Sequence, residues 1–182
     1  LEVRTRPLAA YSGGMKQRMM IAMAVCCDPS ILIADEPTTA LDVTLQLQIL
    51  KLILQLRDRF SMGVLFISHD LAVVHEISDR VSVIYAGKIV ESADRSRLFE
   101  EPLHPYTQLL LLSIPNADRR GRRLKAIPGR VPDAEHVPDG CAFHPRCPLA
   151  ESICSQEIPA TVEHGDGHTA ACHMIGKKWI DS

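Results

Sequence analysis

Short apolar runs alternate along this chain with stretches in which apolar residues return at helical spacing. Residues 31–34 are fully apolar, as expected of a buried parallel strand, and residues 63–67 form a second such run. Between them Leu45, Ile49, Leu52, Ile53, Leu56 and Phe60 recur every three or four positions. That stripe predicts a helix ending near Phe60, with Asp42 as its N-cap. Upstream, Ser12-Gly13-Gly14 opens a helix predicted over 15–27, which Asp28-Pro29 stops. A shorter helix is predicted near 71–77, then a hairpin of 81–85 and 88–91 around Ala86-Gly87. Strands alternating with helices predict an α/β layered fold. After Pro102 the character changes. One more helix is expected near 106–113, followed by the basic stretch 118–123. From Ile127 onward Pro, Gly and Cys dominate. The chain therefore reads as a core piece, 1–100, and an appendage, 101–182, without internal repeats.

Charge narrows the function classes. Twenty basic against 22 acidic residues give a net charge of -2, which argues against a general nucleic-acid binder. The basic run Arg119–Arg123 has no aromatic platform beside it and reads as a solvated face. The longest apolar stretches are 49–56, interrupted by Lys51 and Gln55, and 109–112. Both fall far short of the ~20 residues that span a bilayer. With no basic-then-apolar signal at its start, the chain is expected in the cytosol, docked on a membrane protein.

The chemistry concentrates after the first apolar run, which ends in Asp35-Glu36. Two adjacent carboxylates at a strand end suit hydrolysis of a nucleoside triphosphate, one for Mg²⁺ and one for the attacking water. The bland alternative is a capping or solvated acidic pair. Ser12-Gly13-Gly14 precedes a helix, where free N–H groups can receive an anion; a plain serine cap with a glycine turn is the alternative. Thr39-Ala40-Leu41-Asp42 and Ser68-His69-Asp70 follow in order.

These four elements, in this order and spacing, resemble the ATP-binding subunits of ABC transporters. The resemblance implies a P-loop NTPase core, of which this chain holds the C-terminal part. It implies that Asp35 binds Mg²⁺, that Glu36 is the general base, and that His69 contacts the γ-phosphate of ATP. Ser12, Gly13 and Gly14 would be the signature motif, facing ATP held by an opposite subunit. Asp42 would close the loop that communicates across the dimer. Tyr11 stands where the family often has Leu, and Met15 where many members carry Gln. No G-x-x-x-x-G-K-[ST] occurs anywhere, so the phosphate-cradling lysine loop is missing. The chain is therefore expected to be part of a longer subunit, holding ATP poorly alone. The alternative is a truncated, non-catalytic remnant that serves as a cofactor module or dimer partner.

The C-terminal portion narrows the resemblance. His104-Pro105-Tyr106-Thr107, Ile127-Pro128-Gly129-Arg130-Val131-Pro132 and Gly140-Cys141-Ala142-Phe143-His144-Pro145-Arg146-Cys147-Pro148 resemble the extension of dipeptide/oligopeptide importer ATPases, a branch shared with nickel importers. That resemblance implies a second ATPase subunit, identical or not, two transmembrane permeases, and a solute-binding protein that delivers cargo. Cys141, Cys147, Cys154 and Cys172 have the spacing C-x5-C-x6-C-x17-C. Four thiolates can close an iron–sulfur cluster or a zinc site, and free or disulfide-forming thiols are the third possibility. The spacing does not choose; the resemblance favours [4Fe-4S]. His144, His168 and His173 lie nearby and could substitute as ligands, but each reads first as a solvated loop residue. Cys26 and Cys27, in the first helix, read as small core residues.

Overall fold

A computed structural model describes residues 12–114, 127–133 and 135–177. The lead-in 1–10 and the basic run Arg119–Arg123 lie outside the described residues. Helices and strands alternate through the first half: α1 (Gly13–Val25), β1 (Ile31–Asp35), α2 (Val43–Phe60), β2 (Gly63–Ile67) and α3 (Leu71–Ile77). Next come β3 (Arg80–Tyr85), β4 (Lys88–Asp94), α4 (Arg95–Glu100) and α5 (Pro105–Leu112). A 3-10 turn (His144–Arg146), α6 (Ser152–Gln156), β5 (Thr161–Glu163) and β6 (Thr169–Ala171) complete the order. The fold is mixed α/β. By packing, the chain divides between Ile77 and Ser78, upstream of the compositional change near residue 100.

In the first unit β1 and β2 pair in parallel, from Ile31 opposite Gly63 to Asp35 opposite Ile67. The 18-residue α2 connects them, as a parallel pair requires. Its start follows the sequence: the Asp42 carboxylate accepts from the Leu45 N–H at 2.9 Å. Its end is a left-handed Ser61, with Arg57 and Arg59 in the last turn favouring the negative helix terminus. Ile21, Leu32, Ala34, Ile49, Ile53 and Met62 form the core. Burying a side chain the size of Ile49 or Ile53 contributes about 1.5–3 kcal/mol. Leu50 of the same helix is also buried, outside that cluster and outside the stripe read from the sequence.

Two expectations are corrected here. The strands are covered on one face only. Leu32 and Ala34 are buried, but Ile31 is 63% and Ile33 65% exposed, and Leu65 and Ile67 are 53% and 43% exposed. An apolar strand packed by helices on one side keeps its other alternate residues in water. Cys26 and Cys27 are exposed as well, because they follow the last helical residue, Val25, and so lie past the helix face that packs on the core.

In the second unit the strand order is β3-β4-β6-β5, all antiparallel. The β3–β4 turn is two residues, Ala86 and Gly87, both left-handed, the geometry a tight hairpin favours. One bulge interrupts the ladder. Val83 faces Glu91 while Ile84 faces Ile89, so Val90 is the extra residue. Alternation is broken there, and the consecutive Val90 and Glu91 are both buried.

Glu91 is consequently a fully buried carboxylate, 0% exposed. Its Oε1 accepts from the Leu103 N–H at 2.7 Å and lies 2.7 Å from His168 Nε2. Its Oε2 accepts from the His104 N–H at 2.9 Å. One side chain thus ties β4 to the start of α5 and to the β5–β6 hairpin. The His104-Pro105-Tyr106 sequence now has a local explanation. His104 caps α5 by accepting from the Tyr106 N–H at 3.0 Å. Pro105 takes the first helical position, where no N–H is needed. Tyr106 packs edge-on against Tyr85, with ring centroids 4.7 Å apart, and Phe143 closes the group at 5.1 Å from Tyr85. Burial pushes the His104 imidazole down to about 4, so it stays neutral at pH 7.

Candidate functional site

The two parallel strands end in register, so the loops that leave them emerge side by side. Glu36 continues the pairing for one residue, its N–H donating to the Ile67 carbonyl at 3.0 Å. The chain then curls tightly. The Thr39 N–H donates back to the Glu36 carbonyl at 3.2 Å, and Leu41 N–H to the Thr38 carbonyl at 3.3 Å. Both Glu36 and Ala40 are left-handed, with φ of 46° and 62°. Such backbone costs roughly 1–3 kcal/mol per residue outside glycine and is concentrated at functional sites.

This curl presents the Glu36 carboxylate to the second loop. Oε1 accepts from the His69 N–H at 3.1 Å and sits 2.8 Å from His69 Nδ1. Oε2 accepts from the Thr39 hydroxyl at 2.6 Å. The Thr39 hydroxyl first, and the His69 hydrogen bond second, hold Glu36 below the usual carboxylate range. The bond to Glu36, then its charge, raise His69 above 6.5. Glu36's contribution is present above its ordinary 4.5 and is lost as pH falls through its lowered value. That of His69 is present below 6.5 and is lost as pH rises through its raised value. The pair is therefore complete between pH 4.5 and 6.5 and persists somewhat beyond each limit. Both groups face solvent, so its worth lies in orientation more than in stability. An accessible, oriented carboxylate beside an imidazole can accept a proton from water and can sense a phosphate.

The remaining residues singled out in the sequence are placed as follows. Asp35 ends β1 and is exposed. Asp42 caps α2 and is exposed. Ser12 caps α1, its Oγ accepting from the Met15 N–H at 3.4 Å. The glycines after it have a packing reason. A Cβ on Gly14 would lie 3.0 Å from Leu45 Cδ2, so α1 approaches α2 closely there and a larger residue would have to displace the Leu45 side chain. Asp70 caps α3, its Oδ1 accepting from Ala72 N–H at 3.0 Å.

The four cysteines gather in the second unit. Cys154 is buried and the other three are half-buried, all as free thiols. Burial raises Cys141, and it raises Cys147 and Cys172 to about 11; neighbouring cysteine charge adds to each. Gly140 makes the gathering possible. It is left-handed, with φ of 70°, and a Cβ there would lie 2.4 Å from the Cys154 carbonyl oxygen. That oxygen receives the Cys141 N–H at 2.8 Å. Arg146 braces the segment by donating to the Pro128 carbonyl at 2.7 Å and lying over the Tyr85 ring. Among the described residues, no three or more His, Cys, Asp or Glu side chains are arranged to hold a metal ion. His168, read from sequence as a solvated loop residue, is instead buried on Glu91.

Two features escaped the sequence reading. Thr39 carried no role of its own, although a hydroxyl three residues after a carboxylate in a turn is the available signal. Glu91 carried none because strand alternation says nothing of a bulge.

Residues 90–154 match the family described as "Oligopeptide/dipeptide transporter, C-terminal region", and residues 1–39 match the family "ABC transporter". A probable peptide ABC transporter ATP-binding protein of Sinorhizobium fredii is 55% identical over 163 residues, 88% of this chain and 48% of that protein. The oligopeptide transport ATP-binding protein AppD of Bacillus subtilis is 52% identical, covering 90% of this chain and 50% of its own length. The dipeptide transport ATP-binding protein DppD of Escherichia coli is 49% identical, with 89% and 50% covered. The chain thus spans about half the length of the curated relatives it matches. By these matches it belongs to the family of ATP-binding proteins of oligopeptide and dipeptide ABC transporters.

Proposed function

We propose that these residues form the hydrolytic and coupling portion of an ATPase subunit that energises import of dipeptides or oligopeptides. The observation that carries the proposal is the Glu36–His69 pair, 2.8 Å apart at the joint end of two parallel strands. Glu36 would accept the proton of the water that attacks the γ-phosphate. His69, fixed by Glu36 through Nδ1, would turn its other ring nitrogen toward that phosphate. Asp35, exposed at the strand end, offers the carboxylate oxygen that a hard Mg²⁺ ion takes. Mg²⁺, when bound, neutralises phosphate charge. No phosphate-cradling lysine loop is among these 182 residues, so ATP would be held in part by residues outside them.

By the same resemblance, Ser12, Gly13 and Gly14 would face ATP bound to a second ATPase subunit, and the loop ending at Asp42 would lie at that junction. Two permeases and a solute-binding protein complete the assembly, with this subunit peripheral on the cytoplasmic face of the membrane. Among the described residues, no helix is long and apolar enough to cross a membrane. We assign 1–100 to the ATPase core and 101–182 to the importer-type extension, on the change in composition after Pro102. Deleting the gene in its source cell should abolish ATP-dependent uptake of labelled dipeptide, and restoring it should return uptake. Uptake unaffected by the deletion would count against the import reading.

The four thiols are the candidate ligands of an iron–sulfur cluster. Four soft sulfurs within electrostatic reach of one another support it. Their arrangement is not a formed ligand set, so no step of the mechanism runs through a cluster. Protein purified without oxygen should carry about four iron and four acid-labile sulfide per chain if the cluster is [4Fe-4S]. Metal-free protein with four titratable thiols would remove it.

A further inference from the structure

An ionised carboxylate has about four acceptor positions. Three on Glu36 have donors among the described residues: the His69 N–H, the His69 ring Nδ1 and the Thr39 hydroxyl. The ring nitrogen must donate, because an ionised carboxylate can only accept. The position left over is on Oε2, the oxygen that Thr39 holds. Thr39 is itself fixed, since its own N–H donates to the Glu36 carbonyl at 3.2 Å. Two bonds between the same two residues close a small ring, with the left-handed Glu36 at its corner. The hydroxyl contact, at 2.6 Å, is the shortest the carboxylate makes.

We propose that Thr39 is a positioning residue for Glu36. Its hydroxyl fixes the carboxylate's rotation, so that Oε1 stays seated on His69 and Oε2 offers one open acceptor position to water. The inference rests on the reading of Glu36 as the base, and it adds a coupling. Thr39 belongs to the loop that leads into α2, so a shift of that loop withdraws the hydroxyl and frees the carboxylate to rotate. Glu36 orientation thereby becomes a report on the position of the loop.

The test is an NMR titration of the His69 ring in the 182-residue chain, compared among the unmodified protein, Thr39→Val, Thr39→Ala and Thr39→Ser. Glu36→Gln marks the value of His69 without its charged partner. Thr39 is exposed, so these variants should keep the fold. If Thr39 orients the carboxylate, Val and Ala each lower the His69 midpoint toward the value that Glu36→Gln gives. Ser restores it. A hydroxyl that merely competes with His69 for the carboxylate would leave the midpoint unchanged or raise it in Val and Ala. Either result overturns the proposal. Failure of the base assignment would show elsewhere, as ATP turnover that survives Glu36→Gln, and would not move this titration.

Discussion

Glu36→Gln should reduce ATP turnover by the assembled transporter roughly 10²–10⁴-fold, the usual contribution of a positioned general base, while ATP binding persists. Glutamine keeps the size of the side chain and one acceptor oxygen. It cannot take a proton from water at neutral pH. It also turns an NH₂ toward one of the donors that now hold the carboxylate, the Thr39 hydroxyl or the His69 pair. The charge that raises His69 vanishes at the same time, so its midpoint should fall toward 6.5. Turnover in the unmodified assembly should fall on the acid side as Glu36 protonates, below the usual carboxylate range because its partners hold it down. Filter binding of labelled ATP beside phosphate release separates the two steps. Equal turnover in the variant and the parent would remove Glu36 from the chemistry, and loss of binding alone would give it a ligand-holding role.

Glu91→Ala should destabilise the second unit by about 3–5 kcal/mol, the cost of removing one partner from a buried, hydrogen-bonded pair. Three donors lose their acceptor at once: the Leu103 and His104 N–H groups and His168 Nε2. Little water can replace it, because Glu91 is 0% exposed and His168 and His104 are 2% and 1% exposed. The loss should therefore exceed what a surface ion pair would give, about 0–1 kcal/mol. The contrast is available within the same unit. Arg97 and Asp166 are 2.7 Å apart but Asp166 is largely exposed, and Asp166→Asn, which keeps a residue type that tolerates the left-handed backbone there, should cost little. Urea unfolding of both variants measures the difference. Comparable midpoints would mean that the buried site relaxes around the missing carboxylate.

The secondary structure of the first half was legible because it depends on local rules. Periodicity located α2, Asp42 marked its start, and four apolar residues before Asp35 marked β1. Burial was less legible. An apolar strand announces that it can be covered, but not by which elements, and Ile31 and Ile33 carry the same signature as Leu32 and Ala34 while facing the opposite way. The order of Asp35, Glu36 and His69 could be read from the chain. Their contacts could not, because Glu36 and His69 meet only through the β1–β2 register, 33 residues apart. In the second half β5 and β6 are three residues each, too short for alternation to register. Their place beside β4 follows from Glu91 and His168, which stand 77 positions apart. The thiol group illustrates the same limit. Its spacing was plain, but the contact that draws Cys141 to Cys154 depends on the left-handed Gly140.

The bulge at Val90 adds a residue to one arm of the hairpin without turning the rest of that arm over. On either side of it the pairs stay matched, Val83 opposite Glu91 on the buried face and Ile84 opposite Ile89 on the exposed one. Deleting the Val90 codon would therefore leave an uninterrupted ladder with Glu91 still directed inward, and would remove one buried side chain and the local bend. Deleting Glu91 instead would bring Val90 opposite Val83 and take away the acceptor on which Leu103, His104 and His168 converge. The two neighbouring codons should accordingly differ sharply in how well the hairpin bears their loss.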